Sequence, residues 1–185
     1  MKRTISFLIA TLLLILGCEQ VTEVNSQPEQ IFNRQLVSLP QPIGLGVEDL
    51  YTEYKDINGY YGGWFSEAFS YQGGLNGTVN INSTLHFYNY AFYGTKTISQ
   101  TFNTETAAIT FGPPMQFNVS VDYTLTITGV DLTGVNPNTL DFVYIDANGN
   151  MYAVQKDYVI MDLSTGMLKV KNAKLDHFSR YGFVN

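Results

Sequence analysis

Residues 121–128 have the sequence VDYTLTIT, in which apolar or aromatic side chains alternate with polar ones. Residues 79–85, VNINSTL, repeat the pattern with Val79, Ile81 and Leu85 on one side. Successive side chains of a β-strand point to opposite faces, so a period of two places one face against a core and the other in water. Both segments are therefore predicted to be strands with one buried face.

Shorter apolar runs of the same kind follow at regular spacing, and turn residues separate them. Asn148-Gly149 and Ser164-Thr165-Gly166 supply residues that tolerate positive φ, as hairpin turns require. The chain beyond residue 50 shows no helical stripe, so we expect an all-β fold, an antiparallel β-sandwich. The further predicted strands are 96–102, 108–111, 141–145, 151–155, 158–162, 168–173 and 177–184.

The first eighteen residues have the pattern of a bacterial lipoprotein export signal. Lys2 and Arg3 precede an uncharged apolar stretch, 5–16, and Gly17 then leads into Cys18, the single cysteine of the chain. That stretch is too short for a permanent transmembrane helix and is typical of a cleaved signal. We expect Cys18 to become the lipidated N-terminus of an envelope protein in the outer membrane or at the cell surface. An ordinary secretory signal followed by a chance cysteine is the alternative.

This pattern divides the chain into three parts. Residues 1–17 are predicted to be the signal peptide, 18–50 the lipidated N-terminus and a flexible linker, and 51–185 the sandwich. Cleavage would remove Lys2 and Arg3 and leave eight basic against sixteen acidic side chains, a formal charge of −8. Such a charge repels nucleic-acid phosphates. With Cys18 committed to lipid, neither a disulfide nor a thiolate zinc site is expected.

The second half of the chain resembles the bacterial relatives of the ZU-five domain, a module of zonula occludens and uncoordinated-five proteins. The similarity spans roughly residues 57–185 and rests on the segments 109–114 (ITFGPP), 125–132 (LTITGVDL), 140–145 (LDFVYI) and 177–182 (HFSRYG). The resemblance implies a β-sandwich used mainly for protein contacts. The expected partners are thus the membrane, through lipid on Cys18, and another envelope or surface protein.

The tripeptide His177-Phe178-Ser179 is the one candidate for covalent chemistry. Some ZU-five domains cut their own chain between Phe and Ser in this tripeptide, so the resemblance implies that Ser179 attacks the Phe178 carbonyl with help from His177. The reaction needs a hydroxyl, a base and a strained peptide bond. The alternative, which we favour, is that the tripeptide belongs to the closing strand and that Phe178 fills the core.

A run of aromatic residues, Tyr60-Tyr61-Gly62-Gly63-Trp64-Phe65, followed by Phe69 and Tyr71, has two interpretations. Aromatic rings at a cell surface can stack on sugars, which makes a carbohydrate-binding surface possible. Aromatic residues also have high strand propensity and fill cores, and this is the interpretation we favour.

Other patterns give no further site. Asp146-Ala147-Asn148-Gly149-Asn150 has oxygen ligands at alternate positions but lacks the glutamate that completes a calcium loop. His86 and His177 do not have the spacing of a zinc site, and no phosphate loop, nucleophile elbow or dinucleotide fingerprint is present. We expect no cofactor, no metal and no enzymatic activity apart from possible self-cleavage. The predicted function is protein binding or structural support, with self-cleavage and carbohydrate binding as alternatives.

Overall fold

The computed structural model describes residues 28–43, 50–74 and 77–185. The predicted signal peptide, 1–17, and Cys18 lie outside them. The described residues form twelve β-strands, namely β1 (Gln30–Ile31), β2 (Leu50–Asn58), β3 (Gly63–Gln72), β4 (Thr78–Phe87), β5 (Thr95–Asn103), β6 (Ala108–Gly112), β7 (Gln116–Thr128), β8 (Asp141–Ile145), β9 (Met151–Ala153), β10 (Tyr158–Asp162), β11 (Met167–His177) and β12 (Arg180–Val184).

The strands form two antiparallel sheets that pack face to face. The seven-stranded sheet has the order β1-β9-β8-β12-β6-β5-β2, and the five-stranded sheet has the order β10-β11-β7-β4-β3. The predicted all-β sandwich is therefore confirmed. Because β2 and β3 are both edge strands, the two sheets are open on the side where these strands face each other.

The core lies between the sheets and follows the predicted alternation. Val121, Tyr123, Leu125 and Ile127 of β7 are fully buried, while the threonines between them point away from the core. Burial of one such aliphatic side chain stabilises the fold by about 1.5–3 kcal/mol. The two predicted turns also form, with Gly149 joining β8 to β9 and Gly166 ending the β10–β11 turn, both at positive φ.

Part of the segment predicted to be a linker packs on the sandwich instead. The strand β1 pairs with β9, and the side chains of Val37 and Leu39 are buried in the core. The Val37 amide donates to the carbonyl of Phe183, and the Val37 carbonyl accepts from the amide of Ala107. Val37 and Leu39 are two residues apart, so in an extended chain both side chains point to the same side and are buried together. Within the predicted linker 18–50, residues 30–39 thus belong to the folded domain.

The predicted closing strand 177–184 is two pieces in the structure. Residue His177 ends β11 in the five-stranded sheet, and β12 begins at Arg180 in the seven-stranded sheet. Phe178 and Ser179 carry the chain from one sheet to the other. The segment therefore does not pair as one continuous strand, because its first residue and its last residues belong to different sheets.

Candidate functional site

The turn between β2 and β3 presents aromatic side chains to water. A Cβ atom on Gly62, at φ 67°, would lie 2.2 Å from the Phe87 carbonyl oxygen, and one on Gly59 would lie 2.1 Å from that of Phe92. Only glycine fits such close backbone approaches. The turn is thereby held against the neighbouring 88–94 loop, and it projects Tyr60 and Tyr61, the latter 80% exposed.

The 88–94 loop adds two more exposed tyrosines. Tyr90 has φ 66°, a left-handed backbone conformation that costs free energy for any residue other than glycine, and is 63% exposed. The ring of Tyr60 meets those of Tyr90 and Tyr93 edge to face, with centroids 6.1 and 6.0 Å apart. We call Tyr60, Tyr90 and Tyr93 the tyrosine cluster.

Next to this cluster, Trp64 lies on the outer face of the five-stranded sheet, the face turned away from the core. Its indole stacks flat on the His86 ring, with centroids 3.8 Å apart and planes 5° from parallel. His86 in turn contacts Tyr88, at 4.3 Å. We call these three residues the Trp64–His86–Tyr88 stack. Trp64 remains 57% exposed, because β3 is the edge strand and its far side has no neighbour.

Strand register fixes the position of this stack. Trp64 pairs with His86, and His86 pairs with Asp122 on β7. The Tyr88 hydroxyl donates to Asp122 at 2.7 Å, and the Lys174 ammonium donates to the same carboxylate at 2.5 Å. The hydrogen bond to Asp122 raises the pKa of Tyr88 and that of Lys174. The ion pair of Asp122 and Lys174 therefore supports the stack from the neighbouring strands β7 and β11.

On β3, β4 and β7 the outer face beside the stack carries mostly short uncharged side chains, whereas β11 brings lysines such as Lys169, which pairs with Thr126. Neighbouring rows across β3, β4 and β7 are Ser66-Thr84-Thr124, Ala68-Asn82-Thr126 and Ser70-Asn80-Thr128. Hydroxyls in these rows bond to each other across strands, as between Ser66 and Thr84 at 3.1 Å. The result is a flat surface of hydroxyl and amide groups that ends in the aromatic stack. We call the stack, the tyrosine cluster and Tyr61 together the aromatic end.

The prediction that the aromatic run at residues 60–71 fills the core is correct for some of its residues and wrong for others. Phe65 and Tyr71 are buried in the core, as expected, and Phe69 is partly buried against Tyr51. Tyr60, Tyr61 and Trp64 are exposed instead. Sequence reasoning also missed His86, Tyr88, Asp122 and the two loop tyrosines, Tyr90 and Tyr93, because their association with Trp64 depends on strand register and loop packing.

The three residues of the predicted self-cleavage site have other partners. Phe178 is buried and its ring stacks on Phe111, with centroids 5.3 Å apart. The Ser179 hydroxyl donates to the Ile145 carbonyl at 3.5 Å, and the His177 ring meets Tyr144 edge to face at 4.5 Å. Burial lowers the pKa of His177. Neither Phe178 nor Ser179 has positive φ. The Ser179 hydroxyl bonds to Ile145 rather than to the His177 ring. Self-cleavage therefore stays a prediction.

In the turn after β8, the Asp146 carboxylate accepts hydrogen bonds from residues of the same hairpin. Both oxygens of Asp146 accept hydrogen bonds within the turn, from the amides of Asn148 and Asn150 and from the side chains of Asn150 and Tyr152. These bonds lower the pKa of Asp146, the side-chain bond from Asn150 most. Residues 146–150 are thus a hairpin turn, and that carboxylate is already satisfied.

Among residues 28–43, 50–74 and 77–185, His, Cys, Asp and Glu side chains do not converge in groups of three or more that could hold a metal ion. The same residues contain no helix of the length and apolarity that a membrane span requires. No family model, no curated protein and no solved structure matches this chain.

Proposed function

We propose that this chain is a lipid-anchored binding module of the bacterial cell envelope and that the aromatic end binds a carbohydrate. The observation that carries the proposal is the exposed indole of Trp64, stacked flat on His86. The expected lipid on Cys18 would hold the module at a membrane surface.

Exposure of so many rings at one end of the molecule is costly without a ligand. An aromatic side chain left in water forgoes about 2 kcal/mol of burial free energy. Contiguous exposed apolar patches on a soluble domain mark contact sites. Sugar rings have an apolar face of C–H groups, and a flat, fixed indole is a suitable platform for that face.

The polar surface beside Trp64 fits the remaining chemistry of a sugar. Sugar hydroxyls need donors and acceptors, and Ser66, Thr84 and Asn82 supply them in adjacent positions. Short side chains lose little rotamer entropy on binding. The outer face of β3 and β4 next to Trp64 carries no charged side chain, which favours a neutral glycan there. The row through Asn82 reaches a charge only at Lys169 of β11.

A protein ligand is the second candidate, and the tyrosine cluster favours it. Tyrosine is enriched at the centres of protein interfaces, and the ZU-five resemblance also implies protein contacts. The two candidates differ in which residues carry the affinity. A glycan would depend on Trp64 and His86, whereas a protein would depend on Tyr60, Tyr90 and Tyr93.

The test uses the fact that Trp64 is the single tryptophan of the chain. The full chain, purified in non-ionic detergent, is titrated with soluble cello-, xylo- and chito-oligosaccharides and with muropeptides while indole fluorescence is recorded. We expect one class of glycan to shift the emission. His86→Ala, which keeps the reporter, should weaken binding at least tenfold, or about 1.4 kcal/mol, and Trp64→Ala should abolish retention in affinity electrophoresis.

Phe32→Ala is the matched control. Phe32 is also exposed, but it follows β1 at the opposite edge of the seven-stranded sheet. Its loss should leave glycan binding unchanged. Binding that is equally weakened by Phe32→Ala, or no response to any glycan of the panel, would count against the carbohydrate. Loss of capture of an envelope protein by Tyr90→Ala alone would favour the second candidate.

A further inference from the structure

A second surface feature lies on the side where the sandwich is open. Strands β2 and β3 are the edges of the two sheets, and a cleft of about 560 Å³ separates them, lined by residues 51–55 and 65–69. Stacking of Tyr51 on Phe69, with centroids 4.3 Å apart, joins the two strands on one side of this cleft. The cleft is distinct from the aromatic end, which lies on the outer face.

Two glutamates face each other in this cleft. Glu53 of β2 pairs with Gln100, and Glu67 of β3 pairs with Ser83. The Ser83 hydroxyl donates to the Gln100 amide oxygen at 3.0 Å and so joins the two sheets. Paired residues on neighbouring strands point to the same side of a sheet. Because Gln100 and Ser83 point into the space between the two sheets, Glu53 on edge strand β2 and Glu67 on edge strand β3 point into it as well. Their charges are close enough to interact.

Glu67 lacks the partners that a buried carboxylate needs. Only 8% of the residue is exposed, and its Oε2 atom is buried without a hydrogen bond. The hydroxyls of Tyr71 and Tyr123 are buried without one as well. An unpaired buried polar group is unfavourable, and an ion or an ordered water can supply the partner that such a group lacks.

The charged groups around Glu67 favour the binding of a cation. Burial, and next the negative charge of Glu53, raise the pKa of Glu67 to about 7. Lys55 also lines the cleft, but the ion pairs of the described residues do not include it. The other titratable groups nearby are the hydroxyls of Tyr51, Tyr71 and Tyr123. A positive charge between the carboxylates would remove their repulsion.

We propose that the cleft between β2 and β3 binds a hard divalent cation of the Ca²⁺ class through the carboxylates of Glu53 and Glu67. Carboxylate oxygens are the ligands that Ca²⁺ prefers. The volume of the cleft allows waters to complete the coordination.

The test uses Tb³⁺, a luminescent substitute for Ca²⁺ that nearby tyrosines sensitise. The full chain in non-ionic detergent is stripped with chelator, titrated with Tb³⁺ under tyrosine excitation, and then titrated with Ca²⁺ or Mg²⁺. We expect sensitised emission that Ca²⁺ removes. Glu67→Gln should abolish the emission, and Glu53→Gln should weaken Tb³⁺ binding at least tenfold.

Asp146→Asn is the matched control, because the Asp146 carboxylate is used up within its own turn. Emission should survive this change. Glu67→Gln conserves the shape of the side chain, and a denaturant transition recorded for each variant shows that it folds. Emission that is absent from wild type, equal in wild type and Glu67→Gln, or lost with Asp146→Asn would overturn the proposal. This outcome is independent of glycan binding at Trp64.

Discussion

Glu67 is a carboxyl group whose ionisation the fold opposes, and this has a consequence for stability. Its pKa is about 7 in the folded chain, against 4.5 for the free side chain. A raised carboxyl pKa means that the folded state holds the proton more tightly than the unfolded state. Its stabilising contribution is therefore complete below pH 4.5 and is lost as the pH rises through 7.

We predict that Glu67→Gln removes this loss. In chelator, the free energy of unfolding of wild type should fall between pH 5 and pH 8 relative to that of the variant, by roughly 3 kcal/mol at most. Urea midpoints of both proteins across this range measure the difference. Parallel curves for the two proteins would show that Glu67 titrates normally.

A second prediction at the level of single residues concerns the peptide bond between Phe178 and Ser179. Because the Ser179 hydroxyl bonds to Ile145 and the His177 ring packs on Tyr144, we expect the chain to stay intact on long incubation at neutral pH. Denaturing mass spectrometry measures this, with and without hydroxylamine, which would trap an ester intermediate. A fragment ending at Phe178, absent in Ser179→Ala, would instead establish self-cleavage.

Among the elements, the β2–β3 turn is tied most closely to the proposed function. We predict that Gly62→Ala destabilises the domain by on the order of 3 kcal/mol and weakens glycan binding, because the new Cβ would collide with the Phe87 carbonyl. Gly94→Ala is the matched control. Gly94 has a similar φ, 73°, but no atom within 4 Å of its Cβ position, so only about 1 kcal/mol of backbone strain is expected.

Urea midpoints and glycan titrations of the two variants measure both effects. A similar loss in both variants would mean that backbone conformation alone, rather than close contact between the loops, holds the aromatic end in place.

The strands themselves show what a sequence can predict. In β4 and β7 the pattern alternates because each strand meets the core on one face, and this local regularity is visible in the residues alone. The pairing of Trp64 with His86 depends on register between strands, and the approach of Glu53 to Glu67 depends on how two sheets pack. The segment 36–39 is too short to show a clear period, although Val37 and Leu39 are buried. Contacts between distant residues were therefore beyond prediction.

For the whole molecule, the central prediction is the membrane anchor. Cys18→Ser should move the protein from the detergent phase to the aqueous phase or leave the precursor uncut, since each buried lipid methylene contributes about 0.8 kcal/mol to membrane retention. Phase separation in a non-ionic detergent, with intact mass, measures both outcomes. Ser26→Ala serves as the control and should partition like wild type. Equal partitioning of wild type and Cys18→Ser would exclude a lipid on this residue.

If Cys18 carries a lipid, the packing of residues 30–39 on the sandwich limits how far the domain can extend from the membrane. With Cys18 as the anchor, only nine residues, 19–27, lie between the lipidated residue and Pro28, and the ten residue steps from Cys18 to Pro28 span at most about 35 Å when fully extended. The longest strand, β7 with 13 residues, gives the domain a length of roughly 40 Å. A glycan recognised by Trp64 must therefore reach within about 75 Å of the lipid head groups, so the module would sample the membrane-proximal layer and hold whatever it binds close to the bilayer.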